Sequence, residues 1–363
     1  MKKKLLSIIL LLGLTVSLFS CGADYPPVES TEEEKRTVMT LGIEDKVYEI
    51  PYELYRAFFL NLKSTVDGGN ASAWSGKDKD KYVEQIDKLI IEQISDVYAV
   101  FHIASRIGID LYSEENEQIL DNYVKASVEG GIVDSMEVIG FDGDYDAYLA
   151  SLKELNLNYS AQRTMLRYAL GSELIDYYYI GDETTPGELK YTEDDVREFY
   201  FGDESARVIE GYFKEGVTAK TKEELVAIRD AVAASPDELT AALIIIRNSI
   251  TGGEDDIING SLIGKYSRDP IYYSELTEAA LSLSVGECAE LIEVSTGYSN
   301  GYYIIYKAEK SEENFKANLD YVTDVYLAHR IGKLIYEAKS ALIDSARATD
   351  ALKALDRASI KMN

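Results

Sequence analysis

The stretch from Asn259 to Lys310 constrains the fold of this chain most, because its glycines and apolar runs alternate at spacings suited to short strands and tight turns. It opens Asn259-Gly260-Ser261-Leu262-Ile263-Gly264 and passes through Leu276-Thr277-Glu278-Ala279-Ala280-Leu281-Ser282-Leu283. Val285-Gly286-Glu287-Cys288 follows, and the stretch closes on Gly301-Tyr302-Tyr303-Ile304-Ile305-Tyr306-Lys307. Glycine supplies backbone angles that other residues avoid, and aromatic and β-branched runs favour strands. The pattern predicts a glycine-punctuated turn, a short helix, a strand, a tight turn and a final strand.

This strand-bearing segment sits in a chain of 363 residues, a length that favours two or three domains. Apolar residues make up 46%, enough to bury a sizeable core. The formal net charge is −27, and it becomes −30 if Lys2, Lys3 and Lys4 leave with a leader. So acidic a chain repels phosphates and anionic headgroups, which argues against DNA, RNA or direct membrane-surface binding.

The N-terminus has the shape of a secretory leader. Lys2-Lys3-Lys4 is a positive start, Leu5 to Phe19 is an apolar run, and Leu18-Phe19-Ser20-Cys21 follows at once. The run is too short and too near the start for an ordinary spanning helix. A cysteine after Leu-x-Ser resembles the bacterial lipobox. That resemblance implies cleavage after Ser20, diacylglycerol on the Cys21 thiol, and a place on the extracytoplasmic face of the cell membrane. Residues 1–20 are then the signal peptide and 21–37 a tether, polar and carrying Pro26-Pro27 and Ser30-Thr31-Glu32-Glu33-Glu34. The other cysteine is Cys288, so a lipidated chain has no internal disulfide. Its two histidines, His102 and His329, are far from either cysteine, and no metal site is expected.

Beyond the tether, Val38 to Glu49 reads as a short strand pair and Pro51 as a first-turn residue of a helix bearing Leu54, Phe58 and Leu62. A loop from Thr65 to Lys81 leads to a long helix, Tyr82 to Ile107, with Val83, Ile86, Ile90, Ile94, Val97 and Phe101 on one face. Ser113 reads as the N-cap of a helix through about Val128. Asp142-Gly143-Asp144-Tyr145-Asp146 starts like a calcium loop, but Ala147 and Lys153 stand where glycine and a bidentate carboxylate are required. It is read as acidic helix-start chemistry before Ala147 to Leu155. Another helix follows from Asn158 to Tyr178, and Thr192 to Asp195 is a capping-box start for a helix to about Phe201. Ala206 to Phe213 is a strand, Thr221 and Ser235-Pro236-Asp237 open two helices, and residues 313–363 are helical again.

The Asn259–Lys310 stretch resembles the C-terminal half of a parvulin-type peptidyl-prolyl isomerase domain. Such domains carry a Gly-Gly-Asp-Leu-Gly turn, an Ala-x-x-Leu-x-x-Gly-Glu helix exit and a closing Gly-Tyr-His-Ile-Ile strand. The helices before it, with Arg106-Ile107-Gly108-Ile109 at one exit, resemble the N-terminal chaperone domain of PrsA- and SurA-type foldases. The resemblance implies an α+β fold: a mainly helical chaperone-like domain formed by both chain ends, with a small parvulin-like α/β domain inserted. The implied bounds are 38–199 for the helical domain, 200–311 for the insert and 312–363 for C-terminal helices that return to the first domain.

Isomerisation of an Xaa–Pro bond needs no cofactor. It needs an apolar socket for the proline ring and polar groups that stabilise the twisted amide over the planar one. By the resemblance, the socket positions fall on Leu262, Tyr272 and Leu276. The family's two histidines fall on Glu210 and Tyr303, and a Tyr303 hydroxyl donating to Glu210 would span the same gap. Thr251 or Asp255 falls near the position that faces the bound proline. There is no histidine between His102 and His329, and both of these read as packed or surface residues. The 28 tyrosines combine apolar area with a hydroxyl, which suits adaptable binding of unfolded segments as well as ordinary packing. The implied function is a membrane-anchored extracytoplasmic folding factor, like a peptidyl-prolyl isomerase, with altered or lost activity. The alternatives are a non-catalytic holdase and an envelope scaffold. Partners are unfolded or newly secreted polypeptides, with the membrane met through the lipid anchor only.

Overall fold

The computed structural model describes residues 25–133, 136–182, 184–202, 209–215, 222–248, 263–264, 279, 282–295, 300–307, 309–317 and 319–362. The fold is α+β. The chain divides into two compact units, one of Met1–Glu188 with Ile331–Asn363 and one of Leu189–Arg330. The leader, Cys21 and residues Gly22 to Asp24 lie outside the described residues.

The first unit begins with a short helix α1 (Glu32–Lys35) and a hairpin of β1 (Thr37–Ile43) and β2 (Lys46–Pro51). Pro51 is the N-cap of α2 (Tyr52–Asp67), a position where its missing N–H costs little. The long α3 (Lys79–Arg106) buries Ile86, Ile90, Ile94 and Val97 against Tyr55, Phe59 and Trp74. Ser113 caps α4 (Glu114–Glu129) by accepting from the Asn116 N–H, as its position before two glutamates predicts. A small hairpin, β3 (Gly131–Val133) with β4 (Met136–Val138), has no counterpart in the sequence reading. Asp144 then caps α5 (Tyr145–Glu154) through the Ala147 N–H, so this carboxylate does helix-start work. Asn158 caps α6 (Tyr159–Ile180) in the same way. Within α6, a Cβ on Gly171 would stand 2.9 Å from Val100 Cγ1, so the two helix backbones approach closely there.

The C-terminal residues complete this unit. From Ile331, α11 (Leu319–Ser345, numbered after the helices below) contributes Ile331, Ala338 and Leu342 to the same core. β9 (Arg347–Ala348) pairs antiparallel with β1, Ala348 opposite Met39 and Arg347 opposite Thr40. Thr349 Oγ1 donates to the Val38 carbonyl at 2.9 Å and caps α12 (Asp350–Lys353). Arg357 is 4% exposed. Its Nη2 donates to Asp87 Oδ2 at 2.8 Å and its Nε to the Tyr55 hydroxyl at 3.2 Å, while that hydroxyl donates to Asp87 Oδ1 at 2.5 Å. Burial, with the Asp87 charge beside it, pushes the Tyr55 phenol far up, so it remains a donor at any ordinary pH.

The expected tether ends earlier than its composition suggests. Tyr25 packs its ring 5.3 Å from that of Tyr145 and donates to Glu129 at 3.2 Å. Tyr145 donates to the Pro26 carbonyl at 2.8 Å. Ser30 donates to Glu53, which also accepts from Asn158 at 2.7 Å and Ser160 at 2.6 Å. Glu34 pairs with the buried Arg56 at 2.7 Å. Polar composition signalled a spacer, but these side chains find partners and order residues 25–36 on the folded body.

In the second unit, Thr192 and Asp195 form a reciprocal capping box at the start of α7 (Glu193–Phe201). Val196, Phe199 and Tyr200 pack with Phe315 of α10 (Glu312–Ala317) and with Val322, Tyr326 and Leu327 of α11. This unit, Leu189–Arg330, is wider than the 200–311 segment that the resemblance implies, because α7 and residues 312–330 share an apolar cluster inside it. A four-stranded antiparallel sheet has the order β6-β5-β8-β7. Its strands are β5 (Ile209–Glu215), β6 (Ile263–Gly264), β7 (Ile292–Ser295) and β8 (Asn300–Lys307). Two helices, α8 (Lys222–Ala233) and α9 (Glu238–Arg247), join β5 towards β6. Val232, Ala241 and Ile245 pack on Ile304 and Tyr306 of β8.

Removing Arg357 leaves the Asp87 carboxylate short of its cation inside the first unit. Losing one partner of a buried ion pair costs about 3 kcal/mol. Arg357→Ala is expected to lower the urea midpoint accordingly, read by fluorescence of Trp74, the chain's single tryptophan and a buried reporter in this unit.

Candidate functional site

The candidate site is built on the central strands of the second unit and on the turn that precedes β7. Gly286 adopts φ +83°, a left-handed angle that an L side chain resists. Glu287 accepts from the Ser284 N–H at 2.8 Å, and the Glu287 N–H donates back to the Ser284 carbonyl at 3.1 Å. The turn is fastened to the end of β8 by three backbone bonds. Gly286 N–H donates to the Lys307 carbonyl at 2.8 Å, Lys307 N–H to the Glu287 carbonyl at 2.9 Å, and Ala289 N–H to the Ile305 carbonyl at 2.8 Å. Lys307 Nζ adds a bond to the Leu283 carbonyl at 2.7 Å. The Gly-Glu pair thus has a physical reason to stand at this turn: one residue takes the strained angle and the other ties off the Ser284 N–H.

Beside this turn opens a cleft of about 650 Å³, lined by Ala233, Ser282, Leu283, Glu287, Cys288 and Leu291 among others. That is the size of a small-ligand or side-chain pocket. Of the two acids in its lining, Glu287 accepts from the Ser284 N–H and Glu290 is paired with Arg229. Burial pushes the Cys288 thiol up to about 11, so it is a protonated thiol at neutral pH and a poor nucleophile. Arg229, behind it, is paired with Glu290 at 2.8 Å and Asp230 at 3.1 Å. The described lining offers apolar surface and backbone groups, without an acid–base pair.

Of the residues assigned from the sequence, Leu262, Tyr272 and Leu276 lie outside the described residues, as do Thr251, Asp255 and Cys21. Glu210 and Tyr303 lie on neighbouring strands, β5 and β8, but the register keeps them apart. Glu210 stands opposite Ile263 of β6, whereas Tyr303 stands opposite Glu215 of β5 and Ile292 of β7. Five positions of β5 separate Glu210 from Tyr303's partner, about 16 Å at the usual strand rise. The side chains of Glu210 and Tyr303 lie outside the described residues, as does the expected bond between them. Antiparallel partners move in opposite directions, and only the pairing itself sets their offset.

The histidines sit elsewhere. His102 is 2% exposed on α3, with its Nε2 3.7 Å from a Glu44 carboxylate oxygen, and burial lowers its pKa. His329, in α11, packs its ring 5.2 Å from that of Phe199. Among the described residues there is no cluster of three or more His, Cys, Asp or Glu arranged to hold a metal. Also among them, no helix is long and apolar enough to cross a membrane. The sequence reading missed the Lys307–Leu283 bond and the ordered docking of residues 25–36. The first had a signal in the lysine that ends the closing strand; the second had one in Tyr25 ahead of the paired prolines.

No protein-family model matches the chain, and no curated protein matches it. Among solved structures, the chain is similar to the foldase protein PrsA from Streptococcus pneumoniae at 11% identity, covering 84% of this chain and 92% of that one with a TM-score of 0.25. It is similar to the peptidylprolyl isomerase PrsA from Bacillus anthracis at 14% identity, covering 68% and 96% with a TM-score of 0.26. A structure from work on two SurA-like chaperones of Campylobacter jejuni overlaps at 15% identity, 85% and 99% coverage and a TM-score of 0.20. At TM-scores this low nothing further follows from the overlap.

Gly286→Ala forces a Cβ into the left-handed region and should cost about 1–2 kcal/mol locally. The expected result is faster amide exchange at Ala289 and Lys307, whose N–H groups hold the turn to β8, with a smaller effect for Gly286→Asn.

Proposed function

We propose that this chain is an extracytoplasmic folding factor, anchored by lipid at Cys21, that binds unfolded or newly secreted polypeptide without turning over Xaa–Pro bonds. The observation that carries this reading is the combination in the second unit. The strands that would bear the catalytic pair are neighbours, and the Gly286–Glu287 turn is bonded to the second of them. No histidine occurs between His102 and His329, and the positions assigned to the pair, Glu210 and Tyr303, carry a carboxylate and a phenol instead. Leu262, Tyr272 and Leu276 are assigned the role of gripping an apolar or prolyl side chain, a role that needs no proton transfer. Exposed tyrosines such as Tyr112, Tyr177 and Tyr336 add adaptable contact area.

A holdase works by binding the unfolded client faster than the client finds another copy of itself. Its acidic surface keeps the loaded complex soluble. No cofactor or metal enters this scheme. An envelope scaffold would differ in preferring folded partners.

Mature chain mixed with a chemically unfolded client is expected to suppress light scattering at near-stoichiometric ratios. Tyr272→Ala with Leu276→Ala should weaken that suppression without shifting the urea midpoint read by Trp74. Unchanged scattering in the presence of the parent chain would remove the holdase reading and leave the scaffold.

A further inference from the structure

The ordered start of the chain changes what an anchor at Cys21 does. Residues 25–36 are bound to the first unit, so Cys21 is four residue steps from Tyr25 and at most about 14 Å away. A lipid anchor holds its cysteine at headgroup level, and the headgroup region on each side of the hydrocarbon is itself several ångströms deep. The face of the first unit around Tyr25 is therefore held within contact distance of the bilayer.

That face has the composition an interface contact requires. Ile139 is 91% exposed, the most exposed of the large apolar side chains described, and Val28 is 44% exposed. Gly140, next to Ile139, is stacked on Gly130 and Glu129, and Glu129 accepts the Tyr25 hydroxyl. Phe141 and Tyr145 are partly buried beside Tyr25, and the Phe141 N–H is fixed to the Val128 carbonyl at 2.7 Å. Tyrosine belongs at the boundary of headgroup and acyl chain, where its ring is dry and its hydroxyl wet. We propose that Tyr25, Val28, Ile139, Phe141 and Tyr145 form a bilayer-contacting surface, pressed onto the headgroups by the short link to Cys21.

The proposal rests on the lipid-anchor reading of Cys21. Charge does not drive the contact: Glu29, Asp142, Asp144 and Asp146 are exposed near the patch and oppose anionic lipid. The tether supplies the local concentration, and a zwitterionic bilayer is the better partner. The contact would fix the orientation of the first unit on the membrane, a role separate from client binding.

The test is amide exchange of the full lipidated mature chain in phosphatidylcholine vesicles, beside the soluble Cys21→Ser chain. The segment 137–146 is expected to exchange several-fold more slowly on vesicles. The slowing should fall when a phosphatidylglycerol fraction is added. It should vanish in Ile139→Asp, and after insertion of about twelve Gly/Ser residues between Ala23 and Asp24. Intact mass separates the two ways of failing. Absence of the acyl mass removes the anchor and with it this surface. An acylated chain whose 137–146 segment exchanges as fast as in the soluble form overturns the surface alone. Slowing in the Cys21→Ser chain at high protein concentration assigns the patch to a second copy, and slowing on adding unfolded client assigns it to polypeptide; either result overturns the bilayer contact.

Discussion

The buried contact of Arg357 with Asp87 and Tyr55 is the interaction on which the rest of the architecture depends. It joins residues 302 positions apart, the last structured turn of the chain and the first long helix. Together with β9 on β1 it closes the first unit from both chain ends. Closing so long a loop costs only slowly more entropy as the loop grows, so such an insertion is thermodynamically tolerable. A buried guanidinium is tolerable for a different reason. Its donors are met by Asp87, Tyr55 and the carbonyls of Leu352 and Leu355, so its charge is both paired and hydrogen-bonded.

This closure defines what the second unit is: a segment that departs from and returns to one core, with its own sheet and apolar clusters. Within it the Ser284–Glu287 turn and β8 hold each other through backbone bonds, a scaffold indifferent to the side chains that would do chemistry. The cleft at Cys288 fits this picture, because a thiol held protonated by burial packs as a small apolar group.

Local signals were legible where one residue does one job. Ser113, Asp144, Asn158 and Thr192 read as helix starts and cap their helices through the hydrogen bonds that their side chains predict. The face of α3 was legible because its apolar residues repeat at helical spacing. Signals that depend on partners distant in sequence were not. Ser30 and Glu34 look like spacer residues until Glu53, Asn158 and Arg56 are placed beside them. Two-residue β9 has no pattern of its own and exists through β1. The offset between Glu210 and Tyr303 is a property of pairing, which motif counting on separate strands does not see.

We propose that the second unit binds polypeptide without the histidine pair that isomerisation would need, since no histidine lies between His102 and His329. Exchange spectroscopy of a short Xaa–Pro peptide with substoichiometric mature chain tests it most directly, because one spectrum reports both binding and cis–trans interconversion. The account predicts peptide resonances that shift or broaden on addition of the chain, while interconversion stays at its uncatalysed pace of tens to hundreds of seconds. Exchange peaks between cis and trans forms that grow with added chain would contradict it.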